Sequence, residues 1–160
     1  MEAPEPERAL RRVLPSGFAV LVPEIDVRDL AISLSFWCDI VGFRIAYARP
    51  EDGFAYLERD GAQVMLCLAN GNWLTAPLDL PLGRGVNFQI MVDRLDPILE
   101  RLANASWPLF RAAHEAWYRI GATQTGLRQV LVQDPDGYLL RFAESLGSRS
   151  LNPGGPVSSR

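Results

Sequence analysis

The sequence contains no lysine. All sixteen basic residues of this 160-residue chain are arginines, and with nineteen acidic residues they give a net charge of −3. Without lysine the chain cannot form a Schiff base, use a lysine general base or supply a phosphate-loop lysine. The slightly negative charge also argues against nucleic-acid binding, because no overall positive field attracts phosphate backbones.

Histidine and cysteine are almost as scarce. His114 is the one histidine, and Cys38 and Cys67 are the two cysteines, so a zinc site built from several such ligands cannot be assembled within one chain. The two cysteines have no C-x-x-C spacing and are predicted to be reduced packing residues. His114 has no companion nucleophile in a recognisable motif, and we expect it to face solvent rather than act as a general base.

Long hydrophobic runs are absent too. No apolar stretch reaches the roughly 20 residues that cross a bilayer, so no membrane association is expected. The first seventeen residues lack the basic start and apolar core of a secretory signal, which predicts a cytoplasmic protein. We expect residues 1–17 to form a flexible N-terminal arm and residues 147–160 to form a flexible, Ser- and Gly-containing tail. Residues 18–146 then make one domain.

That domain shows an internal repeat. A strand pattern at residues 20–27, a helical pattern from Leu30 and three further strand patterns are followed from residue 86 by the same order of patterns. Leu30 and Leu95 are 65 residues apart, whereas the Asp-Gly turns that begin at Asp60 and Asp136 are 76 apart. The second unit therefore carries about eleven extra residues, which we place between residues 111 and 127. The predicted fold class is α+β, with two tandem βαβββ modules at about residues 18–70 and 85–146 and a linker at 71–84.

Three segments carry a family resemblance: VPEIDVRDLAISLSFWCDIVGF, RGVNFQIMVDRLD and DPDGYLLRFAE. Together they resemble the vicinal oxygen chelate superfamily, which includes glyoxalase I, extradiol dioxygenases and the fosfomycin- and bleomycin-resistance proteins. The match covers about residues 15–146. The resemblance implies two βαβββ modules whose mixed sheets curl around a shared cavity, usually in a homodimer. FAYLERDGAQVML and DPDGYLLRF are most similar to the bleomycin-resistance branch, whose members sequester a glycopeptide antibiotic without changing it.

The resemblance also indicates where enzymes of the superfamily hold a divalent metal. Those positions fall on Val22, Met65, Asn87 and Arg141, and the repeat offsets of 65 and 76 relate them in pairs. Valine offers no ligand atom, methionine and asparagine are weak ligands, and arginine repels a cation. The sequence therefore predicts no metal, no cofactor and no catalytic residue. A metal held by Glu24, Asp26 and a third acid remains an alternative.

Alternation along the strands assigns the faces of the sheets. Six apolar residues are expected under the helices, and the polar residues between them are expected on the concave side. Arg141 should meet an acid such as Glu24 or Asp26, or an anionic group on a ligand. The six predicted core residues are Ile25, Val27, Phe88, Ile90, Leu140 and Phe142.

Aromatic residues in or near loops complete the predicted site, since flat rings bind planar groups at low conformational cost. Bleomycin-binding relatives often carry a Trp-Gly pair just before the strand that begins here at Arg128, whereas this chain has Thr125-Gly126-Leu127, and Trp117 or Tyr118 are candidates to replace the missing ring. The predicted ligand-binding residues are Glu24, Asp26, Phe54, Tyr56, Gln63, Trp73, Asn87, Gln89, Trp117, Tyr118 and Arg141.

The resemblance and the altered metal positions together predict a binding protein that sequesters a bleomycin-type glycopeptide or a similar bulky aromatic ligand. Two alternatives stay open: a binder of another small aromatic metabolite, and a metal-dependent lyase, isomerase or dioxygenase of the same superfamily.

Overall fold

Two four-stranded mixed sheets form the framework of the protein, one for each predicted module. The structure is a computed structural model that describes residues 5–151. In the first sheet the strand order is β1–β4–β3–β2, and in the second it is β5–β8–β7–β6. The strands are β1 (Glu24–Val27), β2 (Arg44–Arg49), β3 (Phe54–Arg59), β4 (Ala62–Leu68), β5 (Asn87–Val92), β6 (Leu109–Ile120), β7 (Thr123–Gln133) and β8 (Leu139–Ser150).

The register of the parallel strands repeats between the sheets. Glu24 of β1 lies opposite Met65 of β4, and Gln89 of β5 lies opposite Arg141 of β8. These two pairs are related by the offsets of 65 and 76 found in the sequence, which confirms the prediction of two tandem βαβββ modules. The extra residues of the second module lengthen β6 and β7 into an extended antiparallel hairpin.

Three helices accompany the sheets. They are α1 (Glu5–Val13), α2 (Leu30–Leu34), which continues in π-helical turns over Ser35–Ile40, and α3 (Asp96–Asn104). The side chain of Asp29 caps α2 by accepting the backbone N–H of Ile32 at 3.0 Å. None of the helices within residues 5–151 is long and apolar enough to cross a membrane.

The main hydrophobic core combines residues of both sheets with residues of α2 and α3. The predicted core is confirmed, since five of its six residues are buried and Phe88 packs against them. Trp37 is fully buried at the centre of this core and meets the ring of Phe43 edge-on, with the ring centroids 5.1 Å apart.

Both ends of the described chain carry more regular structure than the sequence analysis expected. Residues 5–13 of the expected arm form α1, because its apolar side chains find apolar partners on the first sheet. The expected tail begins inside β8, whose pairing with β7 continues to Ser150. Residues 1–4 and 152–160 of the expected arm and tail lie outside the described residues.

A turn at residues 134–137 fastens the second module to the first. Asp134 accepts a hydrogen bond from the indole N–H of Trp37 at 3.3 Å. Asp136 accepts one from Nε of Arg28 at 2.6 Å. Because both carboxylates are buried, these contacts tie the turn to the start of α2 and to the core.

Gly137 in this turn has no room for a side chain. Its φ is +102°, and a Cβ atom there would lie 2.4 Å from Cβ of Pro81 and 2.8 Å from its Cα. We expect Gly137→Ala to lower the free energy of unfolding, measured by urea denaturation, by about 2–4 kcal/mol through backbone strain and overpacking.

Gly61→Ala is the matched control for that substitution. Gly61 also has a positive φ of +89°, but nothing lies within 4 Å of a Cβ at this position. Only the strain of the left-handed backbone, about 1–2 kcal/mol, should then be lost. Equal losses in the two variants would contradict the close packing of Gly137 against Pro81.

Candidate functional site

The predicted site residues lie mainly on the faces of the two sheets that point away from the main core. Side chains alternate in direction along a strand, so the residues next to the core positions point to these outer faces. The chain thus divides the predicted site into two groups, one for each module. The outer face of the first sheet carries Glu24, Asp26, Phe54, Tyr56, Met65 and Cys67.

Helix α1 covers part of this first outer face. Leu14, directly after the helix, is fully buried in a cluster with Phe54 and Tyr56, and Leu10 and Val13 of α1 pack against it. Phe54 and Tyr56, predicted to contact a ligand, therefore lie beneath the protein's own N-terminal segment.

Gln63 is held in an internal hydrogen-bond network. Its Oε1 accepts the O–H of Tyr56 at 2.6 Å and the backbone N–H of Ala19 at 2.8 Å. Its Nε2 donates to the carbonyl of Gly17 at 2.7 Å. Gln63 thereby fixes the segment that leads from α1 to β1, and its amide has few hydrogen-bonding positions left for a ligand.

A cavity of about 500 Å³, here called the first-sheet cavity, opens beside the region covered by α1. Trp73 lies at its rim with 77% of its surface exposed. The guanidinium of Arg49 lies 3.9 Å from the ring centre of Phe54 and pairs with Asp52 at 2.9 Å. The cavity is lined by Glu24, Arg49, Asp52, Phe54, Cys67, Asn70, Asn72 and Trp73.

The electrostatics of this cavity favour binding over nucleophilic chemistry. Burial, followed by the nearby carboxylates of Glu24 and Asp26, raises the pKa of the Cys67 thiol, so the reactive thiolate is disfavoured. Burial also raises the pKa of Asp26. Arg49 already covers the ring of Phe54 and pairs with Asp52, so the exposed ring of Trp73 and the carboxylate of Glu24 are the groups that suit a planar group with positive charge.

A second cavity, of about 310 Å³, lies between the modules and is called the inter-module cavity. Trp37, Phe43 and Phe88 contribute aromatic surface, and Asn87 and Gln89 also line the cavity. Its volume is at the small end of the range for ligand pockets.

The outer face of the second sheet carries Gln89, Arg141 and Tyr118 from the predicted set. Tyr118 accepts a hydrogen bond at its hydroxyl from Nε2 of Gln129 at 2.8 Å. The same Nε2 lies 3.1 Å from Nε2 of His114. His114 is thus half-buried and bonded to a neighbour, whereas the sequence analysis expected it to face solvent.

Arg141 has no acidic partner among residues 5–151, although a pair with Glu24 or Asp26 was one expectation. Its Nε is buried and has no hydrogen-bond acceptor. Glu24 and Asp26 lie on the other sheet. An anionic group on a ligand is the alternative that the sequence analysis left open.

Trp117 and Tyr118 face opposite sides of β6, as neighbouring strand residues do. The benzo ring of Trp117 lies so close to Gly126 that a Cβ there would be 2.7 Å from it. The guanidinium of Arg149 covers the ring at 3.9 Å from its centre. Of these two adjacent aromatic residues, Tyr118 is therefore the one that shares a face with Gln129.

The family model described as the Glyoxalase/Bleomycin resistance protein/Dioxygenase superfamily matches residues 19–142. The chain belongs to this superfamily. The match spans both modules, and the two sheets of these modules repeat the same strand register. No curated protein matches the chain.

Two solved structures share the fold. TioX from Micromonospora sp. ML1 is 21% identical, with a TM-score of 0.63 over 81% of this chain and 100% of TioX. A bleomycin resistance determinant encoded on the transposon Tn5 is 21% identical, with a TM-score of 0.56 over 81% of this chain and 99% of its own. A superfamily member from Vibrio splendidus 12B01 is 36% identical over 77% of this chain and 95% of its own, with a TM-score of 0.36.

The residues at the superfamily's metal positions do not fit a divalent cation. Val22 and Met65 pack against the apolar cluster beneath α1, and Arg141 contributes a cation. Asn87 alone offers a neutral oxygen, which is a weak ligand without carboxylates or imidazoles beside it. Within residues 5–151 no three His, Cys, Asp or Glu side chains lie together in a way that could hold a metal ion.

Three polar residues on the second outer face were missed by the sequence analysis as site residues. They are Arg111, His114 and Gln129. Gln129 and Gln133, four positions apart on one face of a strand whose other residues there are apolar, were a usable signal for Gln129. Arg111 and His114 had no comparable signal, because irregularities in the pairing of β6 with β7 set their positions.

Proposed function

We propose that this superfamily member binds an aromatic small molecule and withdraws it from solution without transforming it, with a bleomycin-type glycopeptide as the first candidate. One observation carries the proposal: the superfamily's metal positions hold residues that cannot form a metal site, while an aromatic and acidic cavity lies next to one of them, Met65, on the first sheet. A protein that only binds its ligand protects by mass action. The Tn5 bleomycin resistance determinant shares the fold.

The first-sheet cavity is the proposed place for an aromatic, positively charged part of the ligand. Trp73 offers an exposed ring for stacking and Glu24 supplies negative charge, while Phe54 lines the cavity beneath the guanidinium of Arg49. Stacking on a ring contributes about 0.5–1.5 kcal/mol beyond the burial of apolar area. The other predicted ligand-binding residues remain part of the proposal.

We also propose that the protein acts as a homodimer in the cytoplasm. The family resemblance supports the dimer, and Val20 and Leu21 present apolar side chains that are almost fully exposed in the single chain. The two free thiols, Cys38 and Cys67, suit a reducing compartment. Light scattering of the purified protein should give twice the mass of the chain, and a monomer would contradict the dimer.

A tryptophan-fluorescence titration with metal-free bleomycin, in the presence of a chelator, tests the ligand. We expect a saturable change with a midpoint below about 1 μM, which corresponds to a binding free energy near −8 kcal/mol. Trp73→Phe should remove most of the signal, because Trp73 is the exposed tryptophan of the cavity, and should weaken binding by about fivefold to tenfold.

Trp107→Phe is the matched control for that titration. Trp107 donates its indole N–H to the carbonyl of Gln133 at 2.9 Å and lies outside the first-sheet cavity. Its loss should leave the response to bleomycin intact. No fluorescence change up to high ligand concentration in the wild-type protein would contradict a bleomycin-type ligand.

A smaller aromatic metabolite is the second candidate ligand, and the inter-module cavity favours it. About 310 Å³ lined by Trp37, Phe43 and Phe88 accommodates one or two fused rings rather than a glycopeptide. A thermal-shift screen of single-ring and two-ring aromatic compounds tests this candidate. A higher melting temperature with such a compound, without a fluorescence response to bleomycin, would favour the smaller metabolite.

A further inference from the structure

The outer face of the second sheet, here called the open face, differs from its counterpart in the first module. Helix α1 covers part of the first outer face. On the open face, Met91 and Tyr118 are 49% and 40% exposed, so solvent reaches it. The open face comprises Gln89, Met91, Arg111, His114, Tyr118, Gln129 and Arg141.

Two arginines on the open face lack partners among the described residues. Neither Arg111 nor Arg141 makes an ion pair or a hydrogen bond there, although most other arginines of residues 5–151 do. Both lie opposite Leu131 of β7, Arg111 from β6 and Arg141 from β8. The Cα atoms of the two arginines are therefore about 10 Å apart, which is two strand spacings. No carboxylate of the described chain lies between them.

A hydrogen-bond network fixes the polarity of the face next to these arginines. Nδ1 of His114 lies 2.9 Å from the carbonyl of Ala112 and so carries the proton, which leaves Nε2 as an acceptor. Nε2 of Gln129 then donates one hydrogen to His114 and the other to Tyr118. The hydroxyl of Tyr118 accepts, and its own proton is free to donate.

Two buried polar atoms on this face have no partner. They are Nε of Arg141, a donor, and Oε1 of Gln129, an acceptor. Gln129 is 3% exposed, and the network above holds its amide in one orientation. A buried polar atom without a partner costs free energy, so a molecule that supplies an acceptor to Arg141 and a donor to Gln129 is favoured.

From these observations we infer that the open face is an oxyanion site, which takes the carboxylate or phosphate of a small aromatic molecule that also carries a hydrogen-bond donor. The oxyanion pairs with the guanidinium of Arg141, whose planar donors match such groups. Gln129 lies diagonally across from Arg141 on β7, about 7–8 Å away between Cα atoms. That spacing suits a ligand whose oxyanion and hydrogen-bond donor lie on opposite sides of one aromatic ring.

The inference goes beyond the proposed function, because it concerns the other sheet and a ligand group of opposite charge. It shares with the proposed function the premise that the chain binds a small molecule and the predicted residues Gln89, Tyr118 and Arg141. The guanidinium of Arg141 puts a positive charge at a position where the superfamily's enzymes hold a metal ion.

Calorimetric titration of the full chain with 4-hydroxybenzoate, 4-hydroxyphenyl phosphate and methyl 4-hydroxybenzoate tests the inference. We expect one of the two anions to bind at least about tenfold more tightly than the neutral ester, since a charge-assisted hydrogen bond is lost in the ester. The preferred anion tells a carboxylate ligand from a phosphate ligand. Equal binding of anions and ester, or no binding, would overturn the inference.

Substitutions locate the site. Arg141→Gln should weaken anion binding at least about tenfold, and Arg111→Gln should have a smaller effect because that side chain is exposed. Arg94→Gln removes an exposed arginine outside the open face and should change nothing. Unchanged anion binding in Arg141→Gln would contradict the site. If that variant does not fold, the comparison of anions with ester in the wild-type chain still decides.

The two proposals fail separately. A bleomycin response at Trp73 without anion binding would leave the proposed ligand in place and remove the oxyanion site. Anion binding that depends on Arg141, without a bleomycin response, would remove the glycopeptide and keep the oxyanion site.

Discussion

Replacing Asp134 with alanine should lower the free energy of unfolding by about 3–5 kcal/mol. Oδ1 of Asp134 accepts the backbone N–H groups of Asp136, Gly137 and Tyr138 at 3.0, 2.9 and 2.9 Å, and Oδ2 accepts the indole N–H of Trp37 at 3.3 Å. Alanine leaves three of these donors without an acceptor at a buried junction of the modules, whereas the N–H of Gly137 keeps its hydrogen bond to the backbone carbonyl of residue 134. Urea denaturation followed by circular dichroism measures the loss.

Asp134→Asn is the companion variant, and its pH dependence is informative. Burial raises the pKa of Asp134 above its ordinary value of 3.8, against the opposing effect of its hydrogen bonds. The folded state therefore binds this proton more tightly than the unfolded state does. The contribution of that proton to stability is full below pH 3.8 and is lost as the pH rises through the folded-state pKa.

Asparagine cannot titrate, so the difference in unfolding free energy between wild type and Asp134→Asn isolates this group. The advantage of the wild type should shrink as the pH rises from 3.8 and become constant above the folded-state pKa. A difference that does not change across this window would contradict the burial of the Asp134 carboxylate. A loss below about 1 kcal/mol in Asp134→Ala would contradict its role in joining the modules.

Replacing Leu14 with aspartate should release α1 from the first sheet. Leu14 is fully buried beside Phe54 and Tyr56, and a carboxylate cannot be accommodated there without a partner. A loss of about 3 kcal/mol in docking free energy corresponds to a change of roughly 100-fold in the undocked fraction. Trypsin should then cut after Arg11 and Arg12 at least about 100 times faster, since cleavage follows the open state.

Leu78→Asp is the control for this experiment. Leu78 is 39% exposed in the loop between the modules, and its substitution should leave the rate of cleavage in α1 unchanged. An unchanged cleavage rate in Leu14→Asp would mean that α1 is not held by this contact.

Much of the fold could be predicted because the sequence repeats its own pattern. The offsets between Leu30 and Leu95 and between the two Asp-Gly turns anticipated the strand register of both sheets. Helix α1 could not be predicted this way: nine residues are too few for a stable isolated helix, and its stability comes from the cluster around Leu14. The contact of Arg28 with Asp136 spans 108 residues and has no local signal.

The candidate site was less predictable than the fold. Alternation gave the faces of β1, β5 and β8, but it could not show that α1 covers Phe54 and Tyr56. The opposite directions of Trp117 and Tyr118 follow from simple alternation along β6. The network of His114 and Gln129 depends on an irregular register between β6 and β7, which no pattern in the sequence indicates.

The central claim, that the protein binds its ligand without changing it, is tested most directly by recovering the ligand. Chelator-treated protein is incubated with a several-fold molar excess of metal-free bleomycin, the protein is denatured, and the ligand is analysed by mass spectrometry. We predict depletion of the free ligand in proportion to protein, and full recovery of the ligand with its mass unchanged. Conversion of many ligand molecules by each protein chain, restored by an added divalent metal, would contradict sequestration and establish an enzyme.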